Sequence, residues 1–209
     1  MVIELKNISK KYGNKNLFNN LNISINQGEL IAITGASGSG KSTLLNILGL
    51  IDKPDSGDVI ICNNKNPYNN EKMKLKLFRN NIGYLFQNYA LIDNYTVDKN
   101  LDFALEYVKV KDKKKLKEEA LKKVGLLDKL NNKVFELSGG EQQRVALARL
   151  ILKQNNIILA DEPTGSLDSV NRDLILKLLK ELNDEGKTVV IVTHDDVVAN
   201  ICTRKIRIG

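Results

Sequence analysis

One nine-residue stretch restricts this chain more than any other: Gly35, Ala36, Ser37, Gly38, Ser39, Gly40, Lys41, Ser42 and Thr43. It meets the phosphate-loop pattern G-x-x-x-x-G-K-[ST] at every fixed position. Leu30–Thr34 (LIAIT) is apolar and β-branched and reads as a buried strand, and residues 44–48 (LLNIL) continue as a helix. The glycines let backbone N–H groups close around a phosphate, and the helix N-terminus adds a favourable dipole. Lys41 is placed to reach the β- and γ-phosphates and the Ser42 hydroxyl to bind Mg²⁺. A glycine-rich turn is the plainer account of such a stretch. With average glycine usage, however, the full pattern arises by chance in roughly one chain in a hundred, and the strand before and helix after lower that further.

Around this core the pattern alternates. Residues 2–5 and 21–25 read as short strands of an opening β region, with a turn at residues 10–14. A turn at residues 54–57 leads into a strand at 58–62, and residues 63–70, rich in Asn, read as a surface loop. Residues 82–86 are another strand, ending at Gln87. From 96 to 134 the strand signal disappears and Lys/Glu-rich helical patterning takes over, which predicts a helical subdomain inserted at about 96–153. Strands return at 157–160 and 188–193, with helices at 139–152 and 170–183. The fold class expected is α/β: a phosphate-loop core with a mostly parallel sheet covered on both sides, an N-terminal antiparallel β region and the helical insertion. All 209 residues form one nucleotide-binding domain in this reading.

Charge and cysteine content narrow the class. The formal charge is +7, which suits nucleic acid, anionic lipid or a solvated surface. The positives are not interleaved with aromatics, there is no Trp, and the densest run, residues 109–123, carries Leu116, Ala120, Leu121 and Val124 at helical spacing. A surface helix with one buried stripe is the expectation, with no nucleic-acid partner. Cys62 and Cys202 have no metal or disulfide spacing and read as packing residues of a reducing compartment. No apolar run approaches the roughly 20 residues of a membrane span, so membrane work would need another chain to do the spanning.

A second constellation lies downstream. Leu137-Ser138-Gly139-Gly140-Glu141-Gln142-Gln143-Arg144 places small residues before a helix. It is both a capping box, S-x-x-E, and a second helix N-terminus suited to an anion. The strand at 157–160 ends in Asp161-Glu162. Two carboxylates at the end of a buried strand call for a partner, because unpaired buried charge is costly. The partners expected are Mg²⁺ near Asp161 and an attacking water at Glu162. Pro163-Thr164-Gly165 leads into Ser166-Leu167-Asp168, and a further core strand ends at Thr193-His194-Asp195. His194 is the only histidine of the chain; its position at a strand end beside a phosphate site favours a γ-phosphate contact over a purely structural role.

Taken together these motifs resemble the ATP-binding-cassette (ABC) ATPases, over essentially the whole chain. The resemblance implies roles in the family's order: Tyr12 stacking on adenine, the phosphate loop from Gly35 to Thr43, Gln87 as the Q-loop glutamine and a metal contact, the signature with Ser138, Gly139 and Gly140, Asp161 on the metal, Glu162 as catalytic carboxylate, Ser166 to Asp168 as the D-loop, and His194 as the switch histidine. It implies ATP and Mg²⁺ as cofactors and ATP hydrolysis as the activity. It further implies a head-to-tail homodimer, each ATP held between one phosphate loop and the other subunit's Ser138–Gly140 region. The segment near Gln87 and the helical subdomain would touch an integral-membrane permease on a separate chain, at the cytoplasmic face of the membrane.

The run from Ala160 to Asp168 is similar to macrolide-exporter and lipoprotein-release cassettes, and to those serving bacteriocin or antimicrobial-peptide export. One departure stands out: many members carry a proline before the Thr-Val pair, where this chain reads Leu91-Ile92-Asp93-Asn94-Tyr95-Thr96-Val97. A mechanotransmission ATPase, moving an extracytoplasmic domain without cargo, is the alternative within the family. A DNA-repair or translation ATPase would need a coiled-coil insertion, zinc cysteines or a second cassette, and the sequence has none of these.

Overall fold

The computed structural model describes residues 1–153, 155–165 and 167–209. In chain order it begins with strands β1 (Ile3–Tyr12), β2 (Lys15–Ile25) and β3 (Leu30–Thr34), then helix α1 (Lys41–Leu48). Strands β4 (Ser56–Ile61) and β5 (Asn64–Lys65) follow, then helix α2 (Glu71–Asn80) and strand β6 (Ile82–Leu85). Helices α3 (Val97–Leu105), α4 (Lys113–Lys123) and α5 (Gly139–Leu152) come next. The chain closes with β7 (Ile157–Asp161), α6 (Ser169–Asp184), β8 (Thr188–Val192), α7 (Asp196–Ile201) and β9 (Arg204–Arg207).

Two sheets result. An antiparallel sheet has the order β2-β1-β4-β5, and a parallel sheet the order β6-β7-β8-β3-β9. The parallel strands are apolar along their whole length because both faces are covered. Their period of two divides the core. Leu30, Ile158, Ala160, Val189 and Ile191 face the helical layer with α5 and α6. Ile31, Ile33, Ile157, Leu159, Val190 and Val192 face α1 and the antiparallel sheet.

Several elements differ from the sequence reading. The opening strands are long, and β1 and β2 pair from Ile3–Ile25 to Tyr12–Lys15, so the turn shrinks to Gly13-Asn14. Register shifts between Leu5 and Lys11 break the strict alternation that would have signalled their length. Residues 63–70, expected as a loop, contain β5 and a 3₁₀ turn at Pro67–Asn69. Helix α2 went unread because its only fully buried side chain is Leu77; Asn70 caps it by accepting from Met73 N at 3.1 Å. Strand β9 is charged and hides its pairing with β3.

In the helical region Val97, Leu101, Leu121, Val124 and Val145 belong to one buried cluster. The stripe on α4 is as expected, with Ala120 and Leu121 buried, but one lysine is not on a solvated face. Lys117 is buried and its ammonium lies 2.7 Å from both Asp98 and Asp102, tying α4 to α3. Asn100, fully buried, accepts from Ile92 N at 2.8 Å and donates to the Ile92 and Thr96 carbonyls. It thereby fixes the segment that lacks the proline. Among the described residues no helix is long and apolar enough to cross a membrane.

Candidate active site

The C-terminal ends of β3, β7 and β8 converge on one crevice, the place where ligands bind open parallel sheets. From β3 the chain enters the loop 35–40. Gly40 caps α1 with a φ of +95°, a left-handed value, and a Cβ there would approach the Phe18 ring at 3.0 Å. The loop is held open from within: Lys41 Nζ donates to the Gly35 carbonyl at 2.9 Å and the Ala36 carbonyl at 3.0 Å. Lys15, at the start of β2, donates to the Gly38 carbonyl at 2.8 Å.

On the next turn of the site, Ser42 Oγ donates to Asp161 Oδ1 at 3.1 Å. Burial raises the Asp161 carboxyl above its usual range, and the Ser42 hydrogen bond works in the opposite direction. One residue on, Glu162 adopts a left-handed φ of +44°. That conformation is costly for a residue with a Cβ and recurs at functional sites. Glu162 Oε1 lies 2.7 Å from His194 Nδ1, two residues past the end of β8. The Glu162 side chain is 13% exposed and that of His194 71%. The hydrogen bond to Glu162, followed by that carboxylate's charge, raises the His194 pKa above 6.5.

Gln87 lies exposed two residues past β6. The next turn carries two successive left-handed residues, Tyr89 (φ +61°) and Ala90 (φ +49°). Arg149, partly buried on α5, forks onto them, donating to the Tyr89 carbonyl at 2.8 Å and the Ala90 carbonyl at 2.5 Å. Tyr12 ends β1 half exposed; its hydroxyl donates to Asp52, which also takes Lys10 Nζ at 2.8 Å.

No hydrogen bond among the described residues joins Ser138, Gly139 or Gly140 to loop 35–40, and a Cβ on Gly139 would lie 3.3 Å from the Tyr89 hydroxyl. The capping box forms: Ser138 Oγ accepts from Glu141 N at 3.3 Å, and Glu141 Oε2 from Ser138 N at 2.8 Å. That backbone hydrogen bond holds the Glu141 carboxyl below its usual range. Gly140 has no room for a side chain, since a Cβ would lie 2.7 Å from the Asn171 side chain. Asn171 in turn accepts from Arg144 and donates to Asp168 Oδ2 at 2.6 Å, while Asp168 caps α6 through Asn171 N at 2.8 Å. Buried Gln143 donates to the Pro163 carbonyl at 2.7 Å. The signature helix and the turn after Glu162 are therefore joined within one chain. Ser166 of the expected D-loop lies outside the described residues.

Lys41, Ser42, Asp161, Glu162 and His194 are thus brought together, with Gln87 and Tyr12 at flanking strand ends. Sequence reasoning missed Lys15, Arg149 and Asn171, whose contacts cross the fold and leave no local pattern. Among the described residues no cluster of three or more His, Cys, Asp or Glu could hold a metal alone. The oxygens of Ser42 and Asp161 suit a hard divalent cation that takes its remaining ligands from phosphate and water.

A family model described as "ABC transporter" matches residues 18–165. The macrolide export ATP-binding/permease protein MacB of Bartonella quintana is 41% identical over 100% of this chain and 32% of its own length. The chain thus spans about a third of the length of the macrolide export relatives it matches. The uncharacterized ABC transporter ATP-binding protein MJ0796 of Methanocaldococcus jannaschii is 44% identical over 97% of this chain and 91% of its own. The solved dimeric structure of that cassette has a TM-score of 0.90 at 43% identity, covering 99% of this chain and 94% of that one. A dimeric post-hydrolysis state of the same cassette, bound to ADP and Pi, has a TM-score of 0.88 at 41% identity, with the same coverage.

Proposed function

The chain belongs to the ABC transporter family, and from that premise we propose that it is the ATP-hydrolysing subunit of an exporter whose membrane-spanning part is a separate permease. The observation that carries the reading is the Glu162–His194 pair at 2.7 Å beside the Ser42–Asp161 contact at 3.1 Å. These groups stand at the end of a phosphate loop whose lysine, among the described residues, donates to two of its own loop carbonyls.

On ATP binding, Lys41 exchanges those carbonyls for the β- and γ-phosphate oxygens, and the loop N–H groups surround them. Ser42 and Asp161, with Gln87, would hold Mg²⁺, which supplies charge neutralisation at the phosphates. Glu162 accepts a hydrogen bond from the water that attacks the γ-phosphorus in line with the ADP oxygen. His194, held through Nδ1 by Glu162, keeps Nε2 for the γ-phosphate as charge develops there. Tyr12 offers its exposed ring to adenine.

In the head-to-tail homodimer the partner subunit's signature region closes each site, so ATP joins the subunits and hydrolysis releases them. That no hydrogen bond among the described residues ties Ser138–Gly140 to the phosphate loop of the same chain supports that arrangement. The permease docks beside Gln87, where an apolar groove of about 410 Å³ runs between α2 and α5. Its cargo is a macrolide, peptide or lipoprotein-like molecule, and the subunit works at the cytoplasmic face of the membrane.

Phosphate release from Mg-ATP tests the reading. Wild-type chain should turn over ATP, and Glu162→Gln should retain binding while losing turnover by at least about a hundredfold. Equal rates in the two would overturn it.

A further inference from the structure

We propose that Asp52 is a positioning residue for the nucleobase: by accepting a hydrogen bond from the Tyr12 hydroxyl, it holds that ring in the orientation on which adenine stacks. This rests on the reading that Tyr12 receives adenine.

Tyr12 ends β1, and its backbone is fixed by pairing with Lys15 across the Gly13-Asn14 turn. The side chain has less to hold it. An aromatic ring at a strand end has several staggered χ1 positions open to it. Tyr12 is 52% exposed and belongs to neither buried cluster. What selects one position is the hydroxyl, which donates to Asp52 Oδ2.

Asp52 can do this because it is itself fixed. It follows α1 on a turn where Ile51 N and Asp52 N donate to the Asn46 carbonyl at 2.8 and 3.2 Å. Its other oxygen, Oδ1, accepts from buried Lys10 Nζ at 2.8 Å, and Lys10 also donates to the Lys53 carbonyl at 2.7 Å. Asp55 ties the same turn to β1: its N–H donates to the Ser9 carbonyl at 2.9 Å, and its Oδ2 accepts from Lys11 N at 2.8 Å. One oxygen of Asp52 thus anchors the carboxylate and the other holds the ring. Burial works to raise the Asp52 carboxyl, but the Lys10 and Tyr12 donors hold it below its usual range. An ionised acceptor makes the stronger hydrogen bond.

Lys10 and Tyr12 lie two apart on β1, and Lys10 Nζ sits over the Tyr12 ring, 5.0 Å from its centre. The ammonium backs the ring, and the solvent-facing remainder is left for a base. A purine that stacks on a ring already held does not pay to immobilise it. The helix that Asp52 follows, α1, is also the one that opens with Lys41 and Ser42. Base and phosphates are thereby positioned from the two ends of one rigid element.

Calorimetry on the full chain, with Mg-ATP and with Mg-tripolyphosphate, which has no base, tests this. Tyr12→Phe keeps the ring and leaves the Lys10–Asp52 pair in place. Asp52→Ala removes the acceptor, and Asp52→Asn keeps an acceptor without the charge. Tyr12→Phe and Asp52→Ala should each weaken ATP binding by about 3- to 10-fold, the cost of ordering one side chain. Tripolyphosphate binding should not change. The two substitutions together should weaken ATP binding no further than either alone. Asp52→Asn should restore most of the affinity that Asp52→Ala loses. Wild-type ATP affinity in Tyr12→Phe overturns the inference, as does an Asp52→Asn protein no tighter than Asp52→Ala. Equal losses of ATP and tripolyphosphate affinity in Asp52→Ala also overturn it and leave Asp52 a staple of the fold. If Asp52→Ala does not fold, Tyr12→Phe still decides. Tyr12→Ala separates the two readings. A loss there with none in Tyr12→Phe removes only the role of Asp52, whereas wild-type ATP affinity in Tyr12→Ala removes the stacking reading itself.

Discussion

Glu162 Oε1 and His194 Nδ1 lie 2.7 Å apart, one from the end of β7 and the other from the end of β8. The pair joins a nearly enclosed carboxylate to an imidazole still open to solvent.

Because His194 is the only histidine, its ring gives a single titrating resonance. The hydrogen bond to Glu162 raises its pKa above 6.5. The stabilisation from this pairing is therefore fully present below pH 6.5 and is lost as pH rises through the higher folded-state value. NMR titration of the ring carbons should give a midpoint above 6.5 in wild type and a return toward 6.5 in Glu162→Gln. Identical midpoints would sever the pair.

Lys41→Ala removes the charged donor but leaves the Gly40 cap and α1 in place. Loss of one or two charge-assisted hydrogen bonds should weaken Mg-ATP binding by about 10- to 100-fold. Calorimetry reads the affinity, and circular dichroism should show an unchanged fold.

Blocking hydrolysis should trap the ATP-bound dimer. Glu162→Gln in Mg-ATP should run as a dimer by light scattering, and wild type in ADP as a monomer. Adding Ser138→Arg, which puts bulk at the signature surface, should restore the monomer. A Glu162→Gln protein that stays monomeric both alone and with the permease present contradicts the head-to-tail model.

Arg149 should be a positioning residue. Arg149→Lys keeps the charge but cannot fork onto the Tyr89 and Ala90 carbonyls. Turnover should fall several-fold as Gln87 loosens, with the KM for ATP nearly unchanged. A rise in KM with constant kcat would assign it to binding instead.

Lys117→Met keeps the stem but removes the pairing with Asp98 and Asp102. The two carboxylates are substantially solvated, so the loss should be only about 1 kcal/mol. In a chain this long that corresponds to a melting point lower by roughly 2–4 °C. ATP turnover by the folded protein should not change.

What was legible in the sequence follows from locality. Loop 35–43, the Ser138–Glu141 cap and the strand ending at Asp161 are encoded by neighbouring residues, and the backbone takes the shape those residues prefer. The parallel strands were readable because burial on both faces demands unbroken apolar runs. Helix α2 was not, since one buried leucine makes no stripe, and β9 was not, since its charged side chains mask a pairing made by its backbone. The Arg149 fork and the Asp168–Asn171–Arg144 link join residues far apart or across helices. The convergence of Ser42 with Asp161 spans 119 positions and only the sheet order brings it about.

The left-handed backbone at Glu162 bears on how this protein would evolve under different pressures. Any residue with a Cβ is strained there by about 1–2 kcal/mol, and glycine alone escapes most of that. A library at position 162 screened only for thermal survival should therefore drift toward glycine, with asparagine next. Screened for ATP turnover, the same library should keep glutamate. The position marks where selection for durability and selection for turnover pull the chain in opposite directions.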